Sequence, residues 1–258
     1  MSTSPAPATQ DSSHVLARTL TLAYGVGSYL LFFGTFLVMI GFVGNFGVPK
    51  SIDTGTPGPV GSAIAINVLL LGLFAAQHTV MARQRFKRWW TRFVPWPIER
   101  STFVLFTSAL LLLLVWQWRP LPELVWQVEG VAAGILMGLF WFGWALVLLA
   151  TFVIDHFDLF GLRQTVLCAL GRPCPPLQFK ETFLYRLVRH PLLLGFLIAF
   201  WATPAMTQGH LLFAVVTTAY TFLAIRIEER GLIEMHGEAY EQYRRRVPMI
   251  FPFPRPGG

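Results

Sequence analysis

Apolar residues run in blocks along this chain, and the blocks are too long and too unbroken to be one-sided. Stretches near residues 19–44, 60–82, 101–118 and 130–154 are almost wholly apolar, and a further block is broken around Thr203-Pro204 into arms of about 191–207 and 210–227. A helix on the surface of a soluble protein returns a polar face every third or fourth position, and these stretches do not. Several approach or exceed the roughly 20 apolar residues that carry a helix across a bilayer. The pattern predicts an all-α fold: a polytopic membrane helical bundle of about five to six transmembrane segments, with a C-terminal helical hairpin.

Composition agrees with that class, since 54% of the residues are hydrophobic and only 13% charged, too little charge for an ordinary soluble domain. The formal net charge of +7 is unevenly placed. Arg18 precedes the first block; Arg83, Arg85, Lys87, Arg88, Arg92 and Arg100 follow the second; Arg163, Arg172, Lys180, Arg186 and Arg189 follow the fourth; Arg226, Arg230, Arg244, Arg245, Arg246 and Arg255 close the chain. Lys50 and Arg119 fall on the other side. This bias predicts cytoplasmic N- and C-termini and one basic face that attracts anionic headgroups at roughly 1 kcal/mol per nearby basic residue. Charges that flank spans in this way argue for a lipid bilayer as partner and against nucleic acid.

Residues 1–18, opening MSTSPAPATQDSSH, read as a disordered tail, and residues 19–258 as a single integral-membrane domain. The first apolar block is too long for a secretory signal and lacks a basic lead and a cleavage site. Cys168 and Cys174 belong to the basic face, where a disulfide is not expected, and their spacing matches no recognised zinc pattern. No metal site is expected. Gly130, Gly134 and Gly138, four apart, with Gly143 beyond, read as a stripe that lets another helix approach closely. Trp89, Trp90, Trp96, Trp116, Trp118 and Trp126 lie near span ends as interfacial anchors.

Polar residues along the spans gather at one depth. Gln77 and His78 close the second block, Asp155 and His156 with Asp158 close the fourth, Arg189 and His190 start the hairpin, and Glu228 and Glu229 end it. Each alone could snorkel to the headgroups; together they predict a cavity open to the basic face, because ionisable groups near a membrane interior default to function. His190 before Pro191 stands at a helix start that favours an anionic group. Glu228 or Glu229 could accept a ribose diol, or simply pair with Arg226 or Arg230. Tyr240 and Tyr243, three apart, share a helix face. Arg244-Arg245-Arg246 could hold a carboxylate bidentately or form a membrane-surface patch. Carboxylate, ribose and a flat base together describe an adenosyl amino acid better than a lipid.

These residues carry a resemblance. Arg189-His190-Pro191 with Gly195, then Glu228-Glu229, Leu232, Gly237, Tyr240, Tyr243, Val247-Pro248 and Pro252 keep the spacing RHPxxxG … EExxLxxxxGxxYxxYxxxVPxxxP. That pattern resembles the isoprenylcysteine carboxyl methyltransferase superfamily over roughly residues 180–252. One departure is Leu193, where members with lipid substrates commonly carry Tyr. The stretches QHTVMARQRFKRWW (77–90) and DHFDLFGLRQ (155–164) are similar to the NnrU-like branch of that superfamily.

The resemblance implies a methyltransferase integral to a bacterial-type inner membrane, using S-adenosyl-L-methionine to methylate a small thiol, methanethiol, to dimethyl sulfide. It implies a cofactor clamp over about 180–252, with Arg189, His190, Pro191, Gly195, Glu228, Glu229, Tyr240, Tyr243, Arg244 and Arg246 binding the cofactor. The upstream polar groups, among them Gln77 and Gln164, then face the substrate. A small alkyl thiol ionises well above neutrality, so a base or cation must help: His78, His156 and Asp155 are candidate bases, and Arg163 a candidate for stabilising the thiolate. Two rivals remain: a superfamily enzyme acting on an isoprenylated cysteine carboxylate or a phospholipid amine, and a transporter or non-catalytic NnrU-like protein.

Overall fold

The computed structural model describes residues 12–175 and 182–252. Five helices are long and apolar enough to cross a membrane: α1 (Ser12–Gly44), α2 (Val60–Ala82), α4 (Trp96–Gln117), α5 (Gly130–Ile154) and α10 (Gln208–His236). Short helices decorate the basic end: α3 (Gln84–Trp90), α6 (His156–Leu159), α7 (Leu162–Ala169), α8 (Leu184–Leu187) and α11 (Glu238–Arg246). The chain is thus an all-α polytopic membrane bundle.

Three boundaries differ from the sequence expectation, each for a local reason. Residues 12–18, expected in a disordered tail, form the first turns of α1; residues 1–11 lie outside the described residues. Helix α4 starts at Trp96 rather than 101, because Pro97 sits in its first turn, where a missing N–H costs nothing, and Glu99 faces the positive end of the helix dipole. The hairpin is lopsided. Its first arm, α9 (Pro191–Trp201), has 11 residues, about half of a span at 1.5 Å per residue. Pro204 disfavours helix in the residue before it, and the chain instead enters β2 (Ala205–Thr207).

The second arm, α10, runs 29 residues, roughly 43 Å, and so overshoots a hydrocarbon core of about 30 Å. Glu228 and Glu229 therefore lie inside α10, two turns before its end. Gly237, at φ +55°, a region that favours glycine, ends α10 and leads into α11, which packs back against it.

Helix α5 packs on α9, α1 on α4 and α7, and α2 on α4 and α10. At the α5–α9 crossing two glycines meet: a Cβ on Gly143 would lie 2.6 Å from the Ala199 nitrogen, and one on Gly195 would lie 2.7 Å from the Gly143 oxygen. Only a bare backbone fits there. Gly130, Gly134 and Gly138, by contrast, have nothing within 4 Å of a built Cβ, so the expected stripe packs no helix of this chain; Gly143 alone does.

Aromatic residues fill the centre, where Phe42, Trp118, Phe140, Trp144 and Phe213 join Leu114 and Ala199 in one buried cluster. Trp118 donates its indole N–H to the Ile52 carbonyl at 3.0 Å. Asn67, fully buried in α2, bonds both main-chain groups of Arg119 at 2.8 and 2.9 Å, which satisfies its amide in the apolar interior. The end opposite the basic face is closed by an antiparallel pair of β2 with β1 (Leu124–Gln127). The basic end carries the short helices and the candidate site residues.

Candidate functional site

In the sequence motif RHP, Arg189 and His190 precede α9 and Pro191 is its first residue, and the main chain pairs with the tail: Arg189 N–H donates to the Pro248 carbonyl at 2.9 Å and His190 N–H to that of Met249 at 3.1 Å. The VP element therefore lies alongside RHP as an extended partner. Arg189 is buried and multiply engaged. Its Nε donates to Glu229 Oε1 at 2.7 Å, and its Nη1 to the main-chain oxygens of Arg244 and Val247 at 3.0 and 2.6 Å. His190 Nε2 lies 3.2 Å from the same Glu229 oxygen. These bonds satisfy a buried ion pair that would otherwise be costly.

Tyr240 and Tyr243 are buried on one face of α11, ring centroids 5.7 Å apart, against Leu232, Ile233 and Val247. The Tyr243 hydroxyl donates to the Tyr185 carbonyl at 2.7 Å. Burial pushes the phenols of Tyr185 and Tyr240 above their ordinary range, and the carboxylates of Glu228 and Glu229 respectively add to it. Both stay protonated hydrogen-bond donors at neutral pH. The side chains of Arg244 and Arg246 are exposed at the surface of α11.

Glu228 differs from its neighbour. Its side chain is 56% exposed, with His190 Nδ1 at 3.8 Å, and it lies within electrostatic range of Arg100, Tyr185, Tyr220 and Tyr240. One exposed carboxylate thus lies among ionisable groups from α4, α8, α10 and α11. Pro191 caps the start of α9 and is buried, while Gly195 faces α5 rather than the clamp.

The second group of candidate residues lies on α2 and α4. His78 is held between Phe74 and Phe103, with centroid distances of 5.4 and 4.9 Å. Thr107 Oγ1 sits 3.5 Å from His78 Nδ1 and 3.4 Å from Gln77 Oε1. If the Thr107 proton goes to Gln77, its oxygen accepts from Nδ1–H, and Nε2 keeps its lone pair. No hydrogen bond occupies Nε2 among the described residues. Beside this histidine a groove of about 120 Å³ runs between α2 and α10, lined by Val68, Leu71, Phe74, Val216 and Tyr220. The Tyr220 hydroxyl meets Thr79 Oγ1 at 3.1 Å and joins the two helices.

Methanethiol S-methyltransferase 2 of Bradyrhizobium diazoefficiens is 55% identical over 92% of this chain and 92% of its own length. The methanethiol S-methyltransferase of Mycobacterium tuberculosis is 53% identical over 93% of this chain and 98% of its own. The chain belongs to the methanethiol S-methyltransferase family. Human nurim is a more distant relative, 28% identical over 82% of this chain and 85% of its own length. No family model matches the chain, and no solved structure does.

In this methanethiol S-methyltransferase family member the 155–164 segment does not converge on one point. His156 is 3% exposed. Thr151 Oγ1 donates to the Leu148 carbonyl at 2.7 Å, so at 2.8 Å it accepts from His156 Nδ1–H, and Nε2 accepts the Tyr29 hydroxyl at 2.9 Å. Both ring nitrogens are spent on joining α1 to α5, and the ring stacks on Phe152 at 4.2 Å. Asp155 Oδ1 caps the Asp158 N–H at 3.0 Å. Arg163 is tied to Asp158 Oδ1 at 2.8 Å and to the Pro175 carbonyl at 3.2 Å, and Gln164 Nε2 bonds the same aspartate oxygen at 3.2 Å. That bond to Asp158 raises the Arg163 guanidinium further above its ordinary value.

Arg100, Tyr185 and Tyr220 border the site but were not among the sequence-derived site residues. Arg100 had served only as a loop charge for orientation. Tyr220 sits in an apolar run where a tyrosine ordinarily packs. Tyr185, four residues before Arg189, carried the one usable signal, a helical turn of separation from RHP.

Proposed function

We propose that this chain transfers a methyl group from S-adenosyl-L-methionine to methanethiol, giving dimethyl sulfide. Family membership supports the reaction. The observation that carries the site is the exposed Glu228, 3.8 Å from His190 at the edge of the Arg189–Glu229–His190 clamp.

The residues present fit such a donor. S-adenosyl-L-methionine would supply a methyl group activated on a cationic sulfur. An exposed carboxylate suits a ribose diol or a nearby cation, and Tyr185 offers a protonated hydroxyl. Arg189 and Glu229 are turned toward each other, so their part is to hold the tail against α9 and α10 and to aim His190 and Glu228. Arg244 and Arg246, on the surface of α11, remain the candidates for a carboxylate.

His78 acts as the base. Its Nε2 lone pair is open, and its rings of Phe74 and Phe103 keep water away, which favours a reaction whose charges disperse in the transition state. A groove of about 120 Å³ suits a small volatile thiol arriving through lipid better than an isoprenylated cysteine. The distribution of basic residues supports cytoplasmic termini and a site on the cytoplasmic face.

The test is headspace measurement of dimethyl sulfide from purified protein, S-adenosyl-L-methionine and methanethiol. Dimethyl sulfide above the no-enzyme control is expected. No product, with methylation of a prenylated cysteine analogue instead, overturns the thiol assignment; calorimetry showing no binding of S-adenosyl-L-methionine overturns the donor.

A further inference from the structure

Arg100 stands near the start of α4, with its guanidinium over the Phe103 ring that also carries His78. Its Nε donates to the Leu159 carbonyl at 2.9 Å, and its Cζ lies 5.5 Å from the centre of the Phe103 ring. His78 also lies against that ring, centroids 4.9 Å apart. Arg100 has no hydrogen bond to its two terminal amino groups and no ion pair within 4.0 Å among the described residues. The charged groups around it are Lys87 on α3, Glu99 on its own helix, Asp158 on α6 and Glu228 on α10. Asp158 is already taken by Arg163 at 2.8 Å, and Glu228 is exposed beside His190 Nδ1 at 3.8 Å.

A weakly hydrated guanidinium beside apolar rings is a strong partner for a large, polarisable anion. Arg163, the cation expected from sequence to stabilise the thiolate, already has its own carboxylate partner. We propose that Arg100 binds the sulfur of the acceptor and stabilises it as thiolate. The S–H bond breaks, the electron pair stays on sulfur beside Arg100, and the proton passes to His78 Nε2. This inference rests on the thiol-methylation reading and names the catalytic cation within it.

The experiment compares wild type, Arg100→Lys and Arg100→Gln on two thiols of similar size and different acidity, methanethiol and 2,2,2-trifluoroethanethiol. An opposite charge at contact shifts an ionisation by 1–3 units, so Arg100→Gln should lose about 10- to 1000-fold in kcat/KM for methanethiol. Its pH–rate profile should move in the alkaline direction. The more acidic thiol needs less help to ionise, so its loss should be at least about tenfold smaller. Arg100→Lys, which keeps the charge without the planar fork, should fall between. S-adenosyl-L-methionine affinity by calorimetry should stay within about threefold for both variants, since Arg100 is assigned to the acceptor. Equal losses on both thiols, a parallel loss of cofactor affinity, or wild-type rates in Arg100→Gln would each overturn the role of Arg100. Absence of thiol methylation by the wild-type chain overturns the underlying reading as well.

Discussion

Arg189 and Glu229 meet at 2.7 Å, Nε to Oε1, with side chains 4% and 10% exposed. Forty positions apart in the chain, they fasten the start of α9 to α10, while the free arm of Arg189 holds two tail carbonyls. This is an architectural contact at the heart of a motif that sequence alone reads as cofactor-binding.

Removing one partner strands the other. Glu229→Ala or Arg189→Ala should lower stability by about 3–5 kcal/mol, whereas Arg189→Met with Glu229→Leu should lose less than either single change. Thermal unfolding in detergent measures this. A double variant as unstable as the sum of the singles would show that the two residues act independently.

Glu228, one position on, should behave in the opposite way. Glu228→Gln is expected to leave the unfolding temperature within about 1 °C, because exposed groups carry little stability, while weakening S-adenosyl-L-methionine binding about tenfold or more. His78→Ala should spare that affinity and lower kcat. Calorimetry and turnover on the same preparations separate the two; cofactor affinity lost equally in both would mean that the site is not divided this way.

At the α5–α9 crossing, Gly195→Ala drives a methyl group into the Gly143 carbonyl, and Gly143→Ala into the Ala199 nitrogen. Backbone cannot swing aside as a side chain can, so each should cost about 1–3 kcal/mol or abolish folded protein. Gly134→Ala, with nothing within 4 Å, should be neutral or stabilising by roughly 0.5–1 kcal/mol. Expression and melting temperature decide, and a stable Gly195→Ala would refute the close approach.

His156 predicts a pH response of stability. Burial holds its imidazole below the ordinary value, with Asp155 opposing. On acidification the unfolded chain therefore takes up a proton before the folded one. The contribution is complete above about pH 6.5 and is lost from there down to the lower folded value. Between about pH 7.5 and 5.5, wild type should lose more stability than His156→Gln, and Tyr29→Phe should cost about 1 kcal/mol at either pH. Coincident pH slopes for wild type and His156→Gln would exclude this imidazole as the sensor.

Segment hydrophobicity is a local property, so the membrane class, the approximate positions of the five long helices and the basic face were legible in the chain by itself. The spacing of RHP, EE and VP likewise marked out the clamp region, because a motif is a statement about residue order. What no linear reading could divide was the labour among neighbours. Glu228 and Glu229 are adjacent letters, yet successive helix positions point about 100° apart, and only the position of Arg189 decided which of them is buried. His156 and His78 looked equivalent until Tyr29 and Thr151 occupied both nitrogens of one. Arg163 looked available until Asp158 closed on it, and Gly195 looked like part of the cofactor clamp until Gly143 met it from α5. In each case the deciding partner is supplied by the packing of helices in three dimensions, which determines whose lone pairs and charges stay open at the basic end.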